Sequence, residues 1–282
     1  MFSLPDFDLP AFIKATLAED LGQGGDITSA AVIPADTHFT ATMAAREDMV
    51  VAGLPLTEAF FRALDPNAGI EAHVADGTHV AAGTVLMTIN GNARTLLTAE
   101  RSALNTVQHL SGIATLTARY VAAIAGTGAV LLDTRKTIPG LRMLEKYATR
   151  MGGATNHRMR LDDAAMIKDN HVALAGSVTA AVQRAVAAGI ERIILEVDHF
   201  DQIEPGIAAG ATQLLLDNMD VDTLRAAVAL VAGRVPTEAS GGVNLETIRA
   251  KAESGVTYIS VGRITQSAPA VDIGLDFEMV AG

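Results

Sequence analysis

The sequence predicts an α/β chain in two parts: an α+β N-terminal domain over 1–115 and an incomplete (β/α) barrel over 116–282. The last few residues are free to return to the first domain. Three observations predict this. From about 129, short apolar runs alternate with Ala-rich helical stretches, and parallel strands need such crossovers. Nearly every run ends in a charged or hydrogen-bonding residue, as the C-terminal face of a barrel requires. The first ~115 residues lack that rhythm and carry turn signals between short extended runs.

Taken in order, a helix near 9–20 leads into a Gly-rich loop, DLGQGGDITS (20–29). Extended runs are expected at 37–45, 48–52, 70–74 and 84–90, with a helix near 55–64. A long Ala/Leu-patterned helix over roughly 93–125 joins the parts. The barrel strands are AVLLD (129–133), AAMIK (164–168), RIILEVD (192–198), TQLLLDN (212–218), PTEAS (236–240) and TYISVG (257–262). Helices near 140–152, 176–188, 201–209, 220–232 and 244–254 lie between them. Gly189, Gly210, Gly233 and Gly255 follow helices where a left-handed cap is expected. About six strands fall short of the regular eight, hence an incomplete barrel.

Composition narrows the chemistry. None of the 282 residues is Cys, which excludes disulfides, thiolate metal sites and a cysteine nucleophile. The formal charge of −11 and 4% aromatic content lack the footprint of a nucleic-acid binder. No apolar run is long enough for a membrane span, and MFSLPDFDLP does not read as a signal peptide. A soluble, cytoplasmic protein is expected. Yet residues 135–171 hold eight basic residues (Arg135, Lys136, Arg142, Lys146, Arg150, Arg158, Arg160, Lys168) against Glu145, Asp162, Asp163 and Asp169. This segment is either a solvated basic face or a concave site for a small polyanion.

The strand ends favour the second reading. Arg135 and Lys136 follow the first barrel strand, offering a planar fork and a point charge to carboxylate or phosphate. His157 and Arg158 follow a Gly-rich turn, and Lys168 and Asp169 end the next strand. Glu196 with Asp198, Asp217 with Asn218, and Glu238 with Ser240 close the strands after it. Glu196 and Asp217 could coordinate Mg²⁺, hold a sugar diol or face a developing positive charge. Their plainer alternative is a salt bridge to Lys136 or Lys168. Ser240, Gly241, Gly242 and Gly262 would expose backbone N–H groups to a phosphate.

The motifs EDLGQGGDITS (19–29), NARTLLTAERSALNTVQHLSGIATLT (92–117), DTRKTIPGLRMLEKYA (133–148), NHR (156–158), IKDNH (167–171), LEVD (195–198), LLLDNM (214–219) and EASGG (238–242) resemble those of the quinolinate phosphoribosyltransferases. These are the carboxylating nicotinate-nucleotide pyrophosphorylases, of the type II phosphoribosyltransferase family. The match runs nearly end to end. The resemblance implies an N-terminal α/β sandwich domain, a barrel of fewer than eight strands, and at least a homodimer with shared active sites. It implies a pentosyltransferase that joins quinolinate to phosphoribosyl pyrophosphate with decarboxylation and uses Mg²⁺.

By the same resemblance, Arg135, His157 and Arg158 take the quinolinate carboxylates, with Arg101 reaching in from the neighbouring subunit. Lys136 and Lys168 meet quinolinate or the phosphates. Glu196 and Asp217 hold the ribose hydroxyls and the metal, and Ser240, Gly241 and Gly262 cradle the 5′-phosphate. Ala154, Arg160, Arg263 and Gln266 depart from the usual pattern. Two rivals remain open: a homologue of the molybdenum-locus type with another anionic substrate, and a barrel aldolase forming a Schiff base through Lys168.

Overall fold

Apolar residues two apart along strands and three or four apart along helices set the architecture seen in the computed structural model, which describes residues 4–278. The described residues divide into two compact units, one of 4–116, 143–152 and 268–278, the other of 117–142 and 153–267.

The first unit begins with α1 (Leu9–Leu21) and α2 (Ile27–Val32). Then come β1 (His38–Ala45), β2 (Met49–Val50), α3 (Leu54–Leu64), β3 (Gly69–Ala72), β4 (His79–Val80) and β5 (Val85–Asn92). The helix α4 (Ala93–Ala123) continues past residue 116 into the second unit. β1, β3 and β5 form an antiparallel sheet with a C-terminal strand, Ile273–Glu278, paired along β1. Met43, Phe60, Phe61, Met87 and Ile89 are fully buried in its core. α2 was expected to be loop. Asp26 accepts the backbone N–H of Ser29 at 2.9 Å, and this cap starts a helix directly after the glycines.

The second unit supplies the parallel sheet: β6 (Val130–Leu132), β7 (Ala165–Ile167), β8 (Ile193–Val197), β9 (Gln213–Asp217), β10 (Thr237–Ser240) and β11 (Tyr258–Ser260). Its order is β6-β11-β10-β9-β8-β7, every neighbouring pair being parallel. Among the described residues β6 and β7 do not pair with each other, so this is the incomplete barrel that six strands imply. β8, β9 and β10 are buried almost to their last residue, as strands covered on both faces must be.

Of the intervening helices, α5 (Arg142–Met151) falls mostly within the first unit. α6 (Asp169–Ala175), α7 (Val178–Ala187), α8 (Ile203–Ala209), α9 (Val221–Val231), α10 (Ile248–Ala252) and α11 (Arg263–Gln266) belong to the second. Two departures from expectation have local causes. α6 is a separate helix because Gly176, at φ +95°, turns the chain left-handed before α7 begins. α10 starts late because Asn244 Oδ1 accepts the N–H groups of Glu246 and Thr247, both at 2.9 Å, and makes a turn of that stretch. The C-terminal strand paired with β1 completes the set as β12.

Candidate active site

The C-terminal ends of the six parallel strands surround a cavity of about 520 Å³, lined wholly by the second unit. Arg135, Lys136, His157, Arg158, Lys168, Glu196, Asp217, Ser240, Gly241 and Gly262 all line it. Arg101 does not; it sits exposed on α4 in the first unit. The strand-end rule therefore gathers residues more than a hundred positions apart. The apolar runs of β8 and β9 turn polar only at Glu196 and Asp217, next to or at their C-terminal ends, which is where the sheet opens into the cavity.

On the cationic side, Arg158 is buried and donates from Nη1 to the carbonyl of Ala164 at 2.9 Å. Burial first, and the neighbouring Arg135 charge second, lower its pKa from the ordinary guanidinium value. Arg135 Nε is a buried donor with no hydrogen-bond partner among the described residues. Two guanidiniums side by side, one with an unused donor, repel each other until an anion joins them. The Lys136 stem passes beside Gly262, whose missing side chain makes room for it.

Directly behind the arginines lies His157, also buried. Its Nδ1 accepts the backbone N–H of Arg158 at 2.7 Å, and its Nε2 lies 3.2 Å from Glu238 Oε2. Both ring nitrogens are thus engaged within the protein. A carboxylate donor role for His157, as the resemblance implied, requires one of these bonds to break.

The acidic side faces them. Lys168 Nζ donates to Glu196 Oε2 at 2.7 Å, so the plainer expectation of an internal salt bridge holds for this pair. Asn218 Nδ2 donates to Asp217 Oδ2 at 2.6 Å. Glu196, Asp198 and Asp217 bring one carboxylate oxygen each within 4.8 Å of one another. Three hard oxygen donors suit Mg²⁺, which takes few protein ligands and keeps water and phosphate for the rest. Glu196 and Asp217 each retain an oxygen beyond the bonds just described. The residues present fit that ion.

The phosphate side depends on Gly241. Its φ is +84°, and a Cβ there would lie 2.1 Å from Asn218 Oδ1. Only glycine lets the β10 loop pass the β9 loop at this distance. Of the four departures from the usual pattern, Arg263 and Gln266 line the cavity. Arg160 does not, and its Nε pairs with Asp162 at 3.0 Å; Ala154 is buried.

The sequence places two acids, Asp198 and Glu238, at strand ends without assigning them a role there. Asp198 joins the carboxylate trio, and Glu238 lines the cavity floor. A signal was present for both: Asp198 is two residues from Glu196 and Glu238 two from Ser240. Positions two apart on a strand share a face.

Comparison with known proteins places the chain in a family. Family models described as quinolinate phosphoribosyl transferase, N-terminal domain and C-terminal domain, match residues 26–111 and 113–276. A nicotinate-nucleotide pyrophosphorylase [carboxylating] of Mycobacterium leprae (strain TN) is 45% identical over 273 residues, covering 94% of this chain and 95% of that protein. The chloroplastic enzyme of the same name from Arabidopsis thaliana is 42% identical over 296 residues, 98% of this chain and 84% of that one. A solved nicotinate-nucleotide pyrophosphorylase from Francisella tularensis superposes with a TM-score of 0.93 at 38% identity, covering 98% of each chain. With both domain models matched in order, and the cavity residues inside the matched segments, the chain belongs to the quinolinate phosphoribosyl transferase family.

Proposed function

We propose that this protein transfers the phosphoribosyl group of phosphoribosyl pyrophosphate to the ring nitrogen of quinolinate and releases the 2-carboxylate as CO₂. The products are nicotinate mononucleotide and pyrophosphate, a step in de novo NAD biosynthesis. The observation that carries this reading is the neighbouring pair of half-buried Arg135 and buried Arg158, with an Arg135 Nε that has no partner among the described residues, in a cavity that also holds acidic groups. A pyridine dicarboxylate and a phosphorylated sugar fit those two sides.

Arg135 and Arg158 bind the two ring carboxylates and aim the ring nitrogen at the anomeric carbon; much of the rate comes from this placement. Lys136 and Lys168 offset the charge of the departing pyrophosphate. Glu196 and Asp217 face the sugar, where positive charge develops as the carbon–oxygen bond lengthens. Glu196 and Asp217, with Asp198 beside them, would hold Mg²⁺, which would supply further charge neutralisation for the leaving pyrophosphate. Ser240, Gly241 and Gly262 receive the 5′-phosphate. Once nitrogen is alkylated, the bond from C2 to its carboxylate breaks and the electron pair stays on C2, beside the cationic nitrogen. A proton from solvent then completes the product, and no side chain acts as a nucleophile.

The same proposal includes a homodimer in which Arg101 completes the neighbouring subunit's site, and a cytoplasmic location. Among the described residues no helix is long and apolar enough to cross a membrane. The aldolase alternative is disfavoured by Lys168, whose amine is held by Glu196 at 2.7 Å. The intact Lys168–His171 segment, with Lys168 and Glu196 in the cavity, favours the quinolinate reading over a homologue with another anion. Incubation with quinolinate, phosphoribosyl pyrophosphate and Mg²⁺ is expected to yield nicotinate mononucleotide, whereas nicotinate in place of quinolinate yields none. Turnover of nicotinate, or no turnover of quinolinate, overturns the reading.

A further inference from the structure

The cavity floor carries a carboxylate that the reaction above leaves without a part. Glu238 on β10 is fully buried yet lines the cavity. Its Oε2 accepts from Gln213 Nε2 at 2.6 Å and lies 3.2 Å from His157 Nε2; its Oε1 has no hydrogen-bond partner among the described residues. A buried carboxylate next to an anion site opposes the very ligand the site is built for. An amide or apolar side chain of the same size would cost the fold less. Such a group is kept where its acceptor has a task.

The hydrogen bonds around His157 identify the task. Because Nδ1 accepts the Arg158 backbone N–H at 2.7 Å, the ring proton sits on Nε2, and Glu238 is the group that receives it. The His157 backbone N–H is held in turn by Asp133 Oδ1 at 2.8 Å. The imidazole is therefore a rigid strut between Glu238 and the Arg158 backbone. We propose that Glu238 is a positioning residue for the pyridine dicarboxylate: it fixes His157 as the Nε2–H tautomer and, through Nδ1, sets the Arg158 guanidinium. This rests on the function proposed above. It also changes the part of His157, which supports an arginine rather than donating to substrate.

Two measurements test it. In the wild-type protein with ¹⁵N-labelled histidine, assigned by comparison with His157→Asn, His157 is expected to carry its proton on Nε2 with Nδ1 bare. A proton on Nδ1 overturns the proposal, and this arm stands even if quinolinate is not the substrate. In kinetics, Glu238→Gln leaves one carbonyl oxygen for two donors and loosens the strut. The quinolinate KM should rise about tenfold or more, by analogy with the loss of a hydrogen-bond partner behind a metal-bound imidazole, with the phosphoribosyl pyrophosphate KM unchanged. In the double variant E238Q/Q213E the amide at position 238 donates to the carboxylate at position 213 and leaves its carbonyl to His157 alone, so the quinolinate KM should fall back toward the wild-type value. A quinolinate KM that stays raised in a folded double variant, or an equal rise in both KM values in the single variant, removes Glu238 from the positioning of the dicarboxylate. If neither variant folds, the histidine spectrum decides.

Discussion

Arg135 bears the sharpest consequence at the scale of single residues. Its Nε is a buried donor with no hydrogen-bond partner among the described residues, and leaving such a group unmade costs free energy unless a ligand takes it. Arg135→Ala should raise the quinolinate KM or lower kcat by about two orders of magnitude, since one charge-assisted bidentate contact is worth roughly 1.5–3 kcal/mol and orientation is lost with it. Arg135→Lys should recover little, because an ammonium cannot reproduce the planar fork. Near-normal steady-state kinetics in Arg135→Ala would remove Arg135 from the account. Most of the site was legible residue by residue, because a polar residue closing an apolar strand has few places to point. The partnership of Glu238 with His157 was not. It depends on the register that sets Glu238 beside Leu215 on β9 and brings the Gly-turn segment under it, and a spacing of 81 residues leaves no trace in a linear pattern.

Among the elements, α2 shows how a composition signal can hide a local one. QGGD at 23–26 reads as loop, yet Asp26 caps the helix that follows, and its second oxygen accepts from Thr98 Oγ1 at 3.1 Å. The hydrogen bonds from Ser29, side chain before backbone, hold the Asp26 carboxyl below its ordinary pKa. A carboxyl whose folded pKa is depressed contributes stability above its unfolded pKa, and that contribution is lost as pH falls through the folded value. Asp26→Ala should cost about 1 kcal/mol at neutral pH. The gap from wild type should close on acidification below the carboxylate range, in thermal melts across pH. A gap that widens in acid contradicts the capping role. The order of the barrel elements was legible because alternating helices and buried strands admit few topologies. The ends of α6 and α10 were not, since one glycine at positive φ and one Asn turn decide them.

At the scale of the whole molecule, acidity and anion binding are reconciled by position. The chain carries −11 overall, yet Arg135, Lys136, Arg158 and Lys168 line one cavity in a barrel of six parallel strands, while Arg142, Lys146, Arg150 and Arg160 of the same basic segment lie outside it. A negative net charge repels extended polyanions, whereas the local cations of the cavity suit a small one. The proposed homodimer with shared sites carries its own consequence. Arg101→Ala and Glu196→Gln proteins, each inactive, should regain activity when unfolded and refolded together, because one site in each mixed dimer is whole. Continued inactivity of a mixture shown to contain mixed dimers removes Arg101 from the neighbouring site. The central claim, that one cavity couples sugar transfer to loss of the ring carboxylate, is tested most directly by quinolinate labelled in its 2-carboxylate, with phosphoribosyl pyrophosphate and Mg²⁺. The account predicts equal amounts of labelled CO₂ and pyrophosphate at every time point; CO₂ without pyrophosphate, or pyrophosphate with the label retained in the product, would contradict it.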